Sequence, residues 1–124
     1  MRRLLLIVLG ADALSDALLS AMNTAVHDQT GAAARLSPVP SRVRGGGGGA
    51  NVGVVEDAST GARYFTKIAP LSSFPMLEAE YHGVQAIAAT RTVRVPSPIA
   101  VGSTKTQAFL VLEVRRWLLS RATR

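Results

Sequence analysis

The chain has no cysteine, which excludes a disulfide framework, a thiolate metal site and a thiol nucleophile, and leaves the redox compartment open. Aromatic side chains are scarce: one Trp, two Tyr and three Phe in 124 residues. Much of the apolar content is Ala, so large core side chains are few and the expected core is modest. No apolar run is long enough to span a bilayer; the longest candidate, Leu4 to Leu9, falls well short. The two histidines, His27 and His82, stand alone, so neither a metal site nor a Ser-His-Asp arrangement is expected. The length suits one domain with a real core and leaves no room for a second.

Positive charge is plentiful. Fourteen Lys and Arg against eight Asp and Glu give a net charge of +6, which favours any polyanion without choosing among a nucleotide, a nucleic acid and an anionic membrane face. Arg2, Arg3, Arg42, Arg44, Arg115, Arg116 and Arg121 lie at the two ends and before Gly45. Without interleaved aromatics they do not make a nucleic-acid groove, and no nucleic acid or membrane partner is expected. Residues 1–13 resemble the basic and apolar regions of a short signal peptide, but Asp12 and Asp16 are unwelcome there and no small-residue cleavage site follows. A cytoplasmic location is expected, with a plastid or other organelle as the alternative if residues 1 to about 25 act as a targeting segment.

Along the chain, Leu14, Leu18, Met22 and Val26 recur at helical spacing up to about Gln29, and Thr30-Gly31 stops the helix. Pro38 and Pro40 restrict residues 32–44 to at most a short edge strand leading into Gly45 to Gly49. Asn51 to Glu56 and Arg63 to Ile68 read as a hairpin about the turn Asp57 to Gly61, with Lys67 at the end of its second strand. After a Pro70 to Pro75 loop, Met76 to Ala89 reads as a helix with apolar positions Leu77, Tyr81, Val84 and Ile87 or Ala88, and with Glu78 and Glu80 in its first turns. Ile99 to Gly102 and Ala108 to Glu113 read as two further strands joined by a turn.

This order of helix, glycine loop, hairpin, helix and two strands is the order a kinase N-lobe needs. Five consecutive glycines let backbone amides approach a phosphate, although a flexible spacer has the same composition. Lys67 on a strand, with a carboxylate on the following helix, suits an ammonium that grips phosphates while the acid holds it in place. Glu80 is preferred to Glu78 as that partner, because the apolar positions after it pack inward.

Gly47-Gly48-Gly49, Tyr64-Phe65-Thr66-Lys67, Met76-Leu77-Glu78-Ala79-Glu80, Val93-Arg94-Val95-Pro96-Ser97-Pro98-Ile99-Ala100-Val101-Gly102 and Phe109-Leu110-Val111-Leu112-Glu113, in that order, resemble the fructosamine-3-kinase (protein-ribulosamine 3-kinase) family. The likeness runs from about Leu14 to Glu113, and its most discriminating parts are Arg94-Val95-Pro96-x-Pro98 and Met76-x-Glu78-x-Glu80. It implies an α+β, protein-kinase-like N-lobe with a small antiparallel sheet, a preceding helix and an αC-type helix over residues 14–113. It also implies that Lys67 binds ATP phosphates, that Glu80 pairs with it, that Gly47, Gly48, Gly49 and Ala50 cover the phosphates, and that the backbone at Glu113 and Val114 meets adenine. The implied activity is ATP- and magnesium-dependent phosphorylation of the sugar 3-hydroxyl of ketosamines on proteins or small amines. Family members often carry a Gly-Gly-Gly-Cys-Ile-Asn type loop where this chain has Gly49-Ala50-Asn51-Val52, so cysteine-based redox control of that loop is absent.

Kinase chemistry also needs an Asp at the substrate hydroxyl and an Asn and Asp for magnesium, all on a C-lobe. The eleven residues after Glu113 contain neither, so the C-lobe is expected to be missing, with the magnesium ligands on it, and the chain inactive alone. Residues 114–124 read as a basic amphipathic tail: the end of a truncated or alternatively spliced product, or else a membrane-surface or partner-binding helix. An N-lobe without its C-lobe would leave an apolar face open to self-association or a binding partner, making a non-catalytic partner-binding or regulatory fragment the alternative function, and a basic nucleic-acid binder using the Gly/Arg segment the third.

Overall fold

A computed structural model describes residues 14–39 and 51–113. The leader at 1–13, the glycine run with Gly47, Gly48, Gly49 and Ala50, and the tail from Val114 lie outside the described residues. Helix α1 spans Asp16–Thr30. It begins after Leu14 because Ser15 caps it, the hydroxyl accepting the Leu18 N–H at 3.1 Å, and Asp16 complements the positive end of the helix dipole. It ends at Gly31, whose φ of 78° suits a residue without Cβ and whose N–H reaches the His27 carbonyl at 2.7 Å. The expected stripe is the buried one: Leu18, Met22 and Val26 are essentially inaccessible, each burial contributing on the order of 2 kcal/mol.

Five strands follow: β1 (Leu36–Val39), β2 (Asn51–Asp57), β3 (Arg63–Pro70), β4 (Ser97–Ser103) and β5 (Gln107–Glu113). A 3-10 turn at Leu71–Ser73 and helix α2 (Phe74–Thr90) lie between β3 and β4. The sheet is antiparallel throughout in the order β1-β2-β3-β5-β4, with the proline-containing β1 at one edge as expected. Alternation along the strands divides the core in two. Val55, Tyr64, Ile68, Phe109 and Val111 pack under α1 on one face, joined across a bulge in β4 by Ile99 and Ala100. Ala69, Ala108, Leu110 and Leu112 pack with Leu77 of α2 on the other.

Several boundaries differ from the sequence reading. Lys67 is interior to β3 rather than at its end, because β5 supplies partners as far as Pro70, which sits opposite Gln107 at the last ladder position, where a missing N–H is tolerated. Helix α2 begins at Phe74 and takes in Pro75 at its first positions, where proline's fixed φ is favourable. Glu78 and Glu80 therefore lie beyond its first turn. Strand β4 starts at Ser97 and includes Pro98, allowed because β4 is the other edge strand. Of the alternatives Ile87 and Ala88, Ala88 is half-buried and Ile87 is exposed.

Candidate functional site

Lys67 stands on β3 between Val52 of β2 and Leu110 of β5, its direct cross-strand partners. Since opposed residues share a face, its side chain belongs to the α2 side of the sheet with Ala69 and Leu110. Helix α2 is fixed on that side by Leu77, which is fully buried, with Phe74, Tyr81 and Val84 around it. A residue three positions after a buried anchor returns to the same helix face. Glu80 occupies that position, and its Oε1 accepts a hydrogen bond from Lys67 Nζ at 2.6 Å. Glu78, one position from Leu77, is exposed to solvent.

The pair is partly open, with side-chain exposures of 24% for Lys67 and 35% for Glu80. At such exposure an ion pair adds only about 1 kcal/mol or less to folding. Its main effect is geometric: the carboxylate holds a flexible four-carbon amine in one place with its remaining N–H groups available to an anion.

Beside the ammonium lies a row of residues to which the sequence reading gave no site role. Val39, Val54, Phe65 and Leu112 are successive cross-strand partners on β1, β2, β3 and β5, and so share the Lys67 face. Helix α2 lies over β4 and β5, and no residue of β1 or β2 belongs to the cluster beneath it. Val39, Val52 and Val54 are consequently half-buried and outside both cores. An apolar floor thus adjoins a held positive charge. The alternation of Val52 and Val54 with Gly53 and Val55 was visible as a strand, but its outward face reads as ordinary partial exposure until the strand order is known.

Glu113 ends β5, opposite Tyr64 and Ser97, three ladder positions or roughly 10 Å along the strands from the Lys67 and Leu110 pair. Val114, named with it, lies outside the described residues, as do Gly47, Gly48, Gly49 and Ala50. Strands β1 and β2 are antiparallel neighbours, so the glycine run joins two adjacent strands of this sheet in sequence. Among the described residues no three His, Cys, Asp or Glu side chains group to hold a cation, and Glu80 is engaged by Lys67. No helix among them is long and apolar enough to cross a membrane.

The fold is similar to that of a putative fructosamine-3-kinase from Haemophilus somnus 129PT, with a TM-score of 0.61 and 23% identity over 75% of this chain and 30% of that one. In sequence the chain is 45% identical over 56 residues to a probable ketoamine kinase from Synechocystis sp., a match covering 45% of this chain and 18% of the relative. The chain therefore spans less than a third of either protein. The family model described as fructosamine kinase matches residues 19–121, which include both helices for nearly their whole length, all five strands, and the Lys67 and Glu80 pair. On that match, carried over most of its length, the chain belongs to the fructosamine kinase family.

Proposed function

We propose that this chain is the nucleotide-binding part of an ATP-dependent kinase that phosphorylates the sugar 3-hydroxyl of ketosamine adducts, fructosamines or ribulosamines, on protein amines or small amines. The observation that carries this reading is the 2.6 Å hydrogen bond from Lys67 Nζ to Glu80 Oε1. An ammonium fixed by a carboxylate from the next helix is suited to the α and β phosphates of ATP. The apolar row Val39, Val54, Phe65 and Leu112 offers a surface for the base, and the backbone at Glu113, where β5 ends, with Val114 next in sequence, is assigned to adenine by the family resemblance. Gly47, Gly48, Gly49 and Ala50 are assigned to the phosphates by their place in sequence between β1 and β2.

Phosphoryl transfer needs a carboxylate at the attacking hydroxyl and oxygen ligands for magnesium. From Ala58 to Arg124 the sequence contains no Asp and no Asn, so these 124 residues by themselves bind nucleotide without turning it over. The chain's own contribution is to bind and orient the phosphates. Phosphorylation of the ketosamine at its 3-hydroxyl destabilises the adduct and releases the amine.

The experiment is paired. Purified chain is titrated with ATP in magnesium buffer, and separately incubated with ATP and a model fructosamine. Saturable ATP binding that Lys67→Met removes, with no phosphosugar formed, is the expected result. Turnover that Lys67→Met abolishes would sink the claim of inactivity, and absence of ATP binding would sink the nucleotide reading.

A non-catalytic, partner-binding role has its own support. Leu71, Met76, Ile87 and Val93 are exposed on or beside α2, between 39% and 56% of their surface open. A sedimentation experiment showing only monodisperse monomer would count against it.

A further inference from the structure

Strand β1 is a weak element by its own sequence. It has four residues, it lies at the sheet edge, and Pro38 within it can donate no ladder hydrogen bond. Yet it supplies Val39, the outermost residue of the apolar row beside Lys67. Besides its four-residue ladder with β2 and the buried Leu36 side chain, it is tied down by hydrogen bonds from outside the ladder. The Leu36 N–H donates to Asn23 Oδ1 of α1 at 2.9 Å. One residue earlier, the Arg35 N–H donates to Asp57 Oδ1 at 3.2 Å, and the Arg35 carbonyl accepts the Ala58 N–H at 3.0 Å. Asp57 is itself held at the β2–β3 turn, its Oδ1 also accepting the Ser59 N–H at 2.9 Å, and it is almost entirely buried.

We infer that Asn23 and Asp57 are positioning residues for the nucleotide-facing side of the sheet: from α1 and from the β2–β3 turn they clamp the start of β1 and keep Val39 in line with Val54 and Phe65. Neither touches the Lys67 and Glu80 pair. Asn23 follows the buried Met22 and is an amide at the margin of an apolar stripe, a place where a purely structural helix would gain more from Ala or Leu. Its oxygen instead completes a backbone donor that the edge strand would otherwise leave unpaired beneath the helix. Losing the clamp frees β1 and weakens binding of any ligand that rests on the row, while the ion pair remains.

This rests on the nucleotide reading above, and the test separates the two. Wild type, Asn23→Leu, Asn23→Asp and Asp57→Asn are compared by ATP titration in magnesium buffer and by amide hydrogen exchange. Asn23→Leu removes the acceptor; Asn23→Asp and Asp57→Asn keep one. Asn23→Leu is expected to speed exchange at Leu36, Ser37 and Val39 but not along β3 and β5, and to weaken ATP binding by about tenfold, the scale of one hydrogen bond. The two acceptor-keeping variants are expected to bind as wild type, a rescue that general destabilisation would not give. Unchanged exchange across β1 in Asn23→Leu would overturn the clamp. Freed β1 with undiminished ATP affinity would overturn its link to the nucleotide. If wild type itself binds no ATP, the nucleotide reading and the positioning role built on it both fall, and only the structural tie remains to be judged by exchange.

Discussion

Gly102 of β4 faces Phe109 of β5 so closely that a β-carbon at Gly102 would come within 2.6 Å of Phe109 Cζ. The ring fills the space a side chain would need, and Phe109 is almost completely buried in the cluster under α1. Gly102→Ala therefore forces the ring aside and costs about 1–3 kcal/mol. In denaturant melts, Gly102→Ala combined with Phe109→Leu should be less destabilised than the two separate losses add up to. Strict additivity would mean that the ring and the glycine do not depend on each other.

Leu77 carries α2 against the sheet and sets the angular position of Glu80. With none of its surface exposed, Leu77→Ala should cost about 2–5 kcal/mol. Thermal melts check the magnitude. A variant melting like wild type would show that α2 is anchored elsewhere and that Leu77 does not place Glu80.

Lys67→Met and Glu80→Gln should part stability from binding. Both side chains are partly exposed, so folding changes by only about 1 kcal/mol or less. ATP affinity should fall about tenfold or more in Lys67→Met, the scale of hydrogen bonds made by a charged group. Glu80→Gln should weaken it less, since the amine stays and only its charged support is lost. Equal affinity in wild type and Lys67→Met would remove Lys67 from the phosphate site.

Stability at low pH should report Asp57. Burial pushes its carboxyl pKa up, but the hydrogen bonds from the Ser59 and Arg35 N–H groups and from the Thr60 and Ser59 side chains outweigh burial and hold it below its ordinary 3.8. A depressed folded value favours the ionised group in the native state. Its contribution is therefore present in full above 3.8 and drains away as pH falls from there through the folded value. Urea melts from pH 7 down to 3 should show a loss that Asp57→Asn makes shallower; identical slopes would exclude Asp57 as the titrating group.

The opposite arm belongs to Tyr64. Burial first, then the negative charges of Glu113 and Asp57, raise its phenol above the usual 10.0. The unfolded chain then ionises first, so stability is intact below pH 10.0 and declines as pH rises past it. Tyr64→Phe should flatten that decline in melts between pH 9 and 11, and an unchanged decline would place the cause elsewhere.

The amino-acid sequence by itself determined α1, because three apolar side chains at helical spacing between a serine cap and a left-handed glycine leave one way to bury the stripe. It also determined that Lys67 lies on a strand and Glu80 on the following helix, since strand alternation and helical spacing are local patterns. Only the tertiary structure decided which carboxylate meets the amine, because that depends on how Leu77 seats α2 on β5. It alone lined Val39, Val54, Phe65 and Leu112 into one row, since strand order and register join residues up to 73 positions apart, which no local period records. The tie from Asn23 to Leu36 belongs there too: an amide at the edge of an apolar stripe reads as a blemish until the backbone donor it completes is brought beside it.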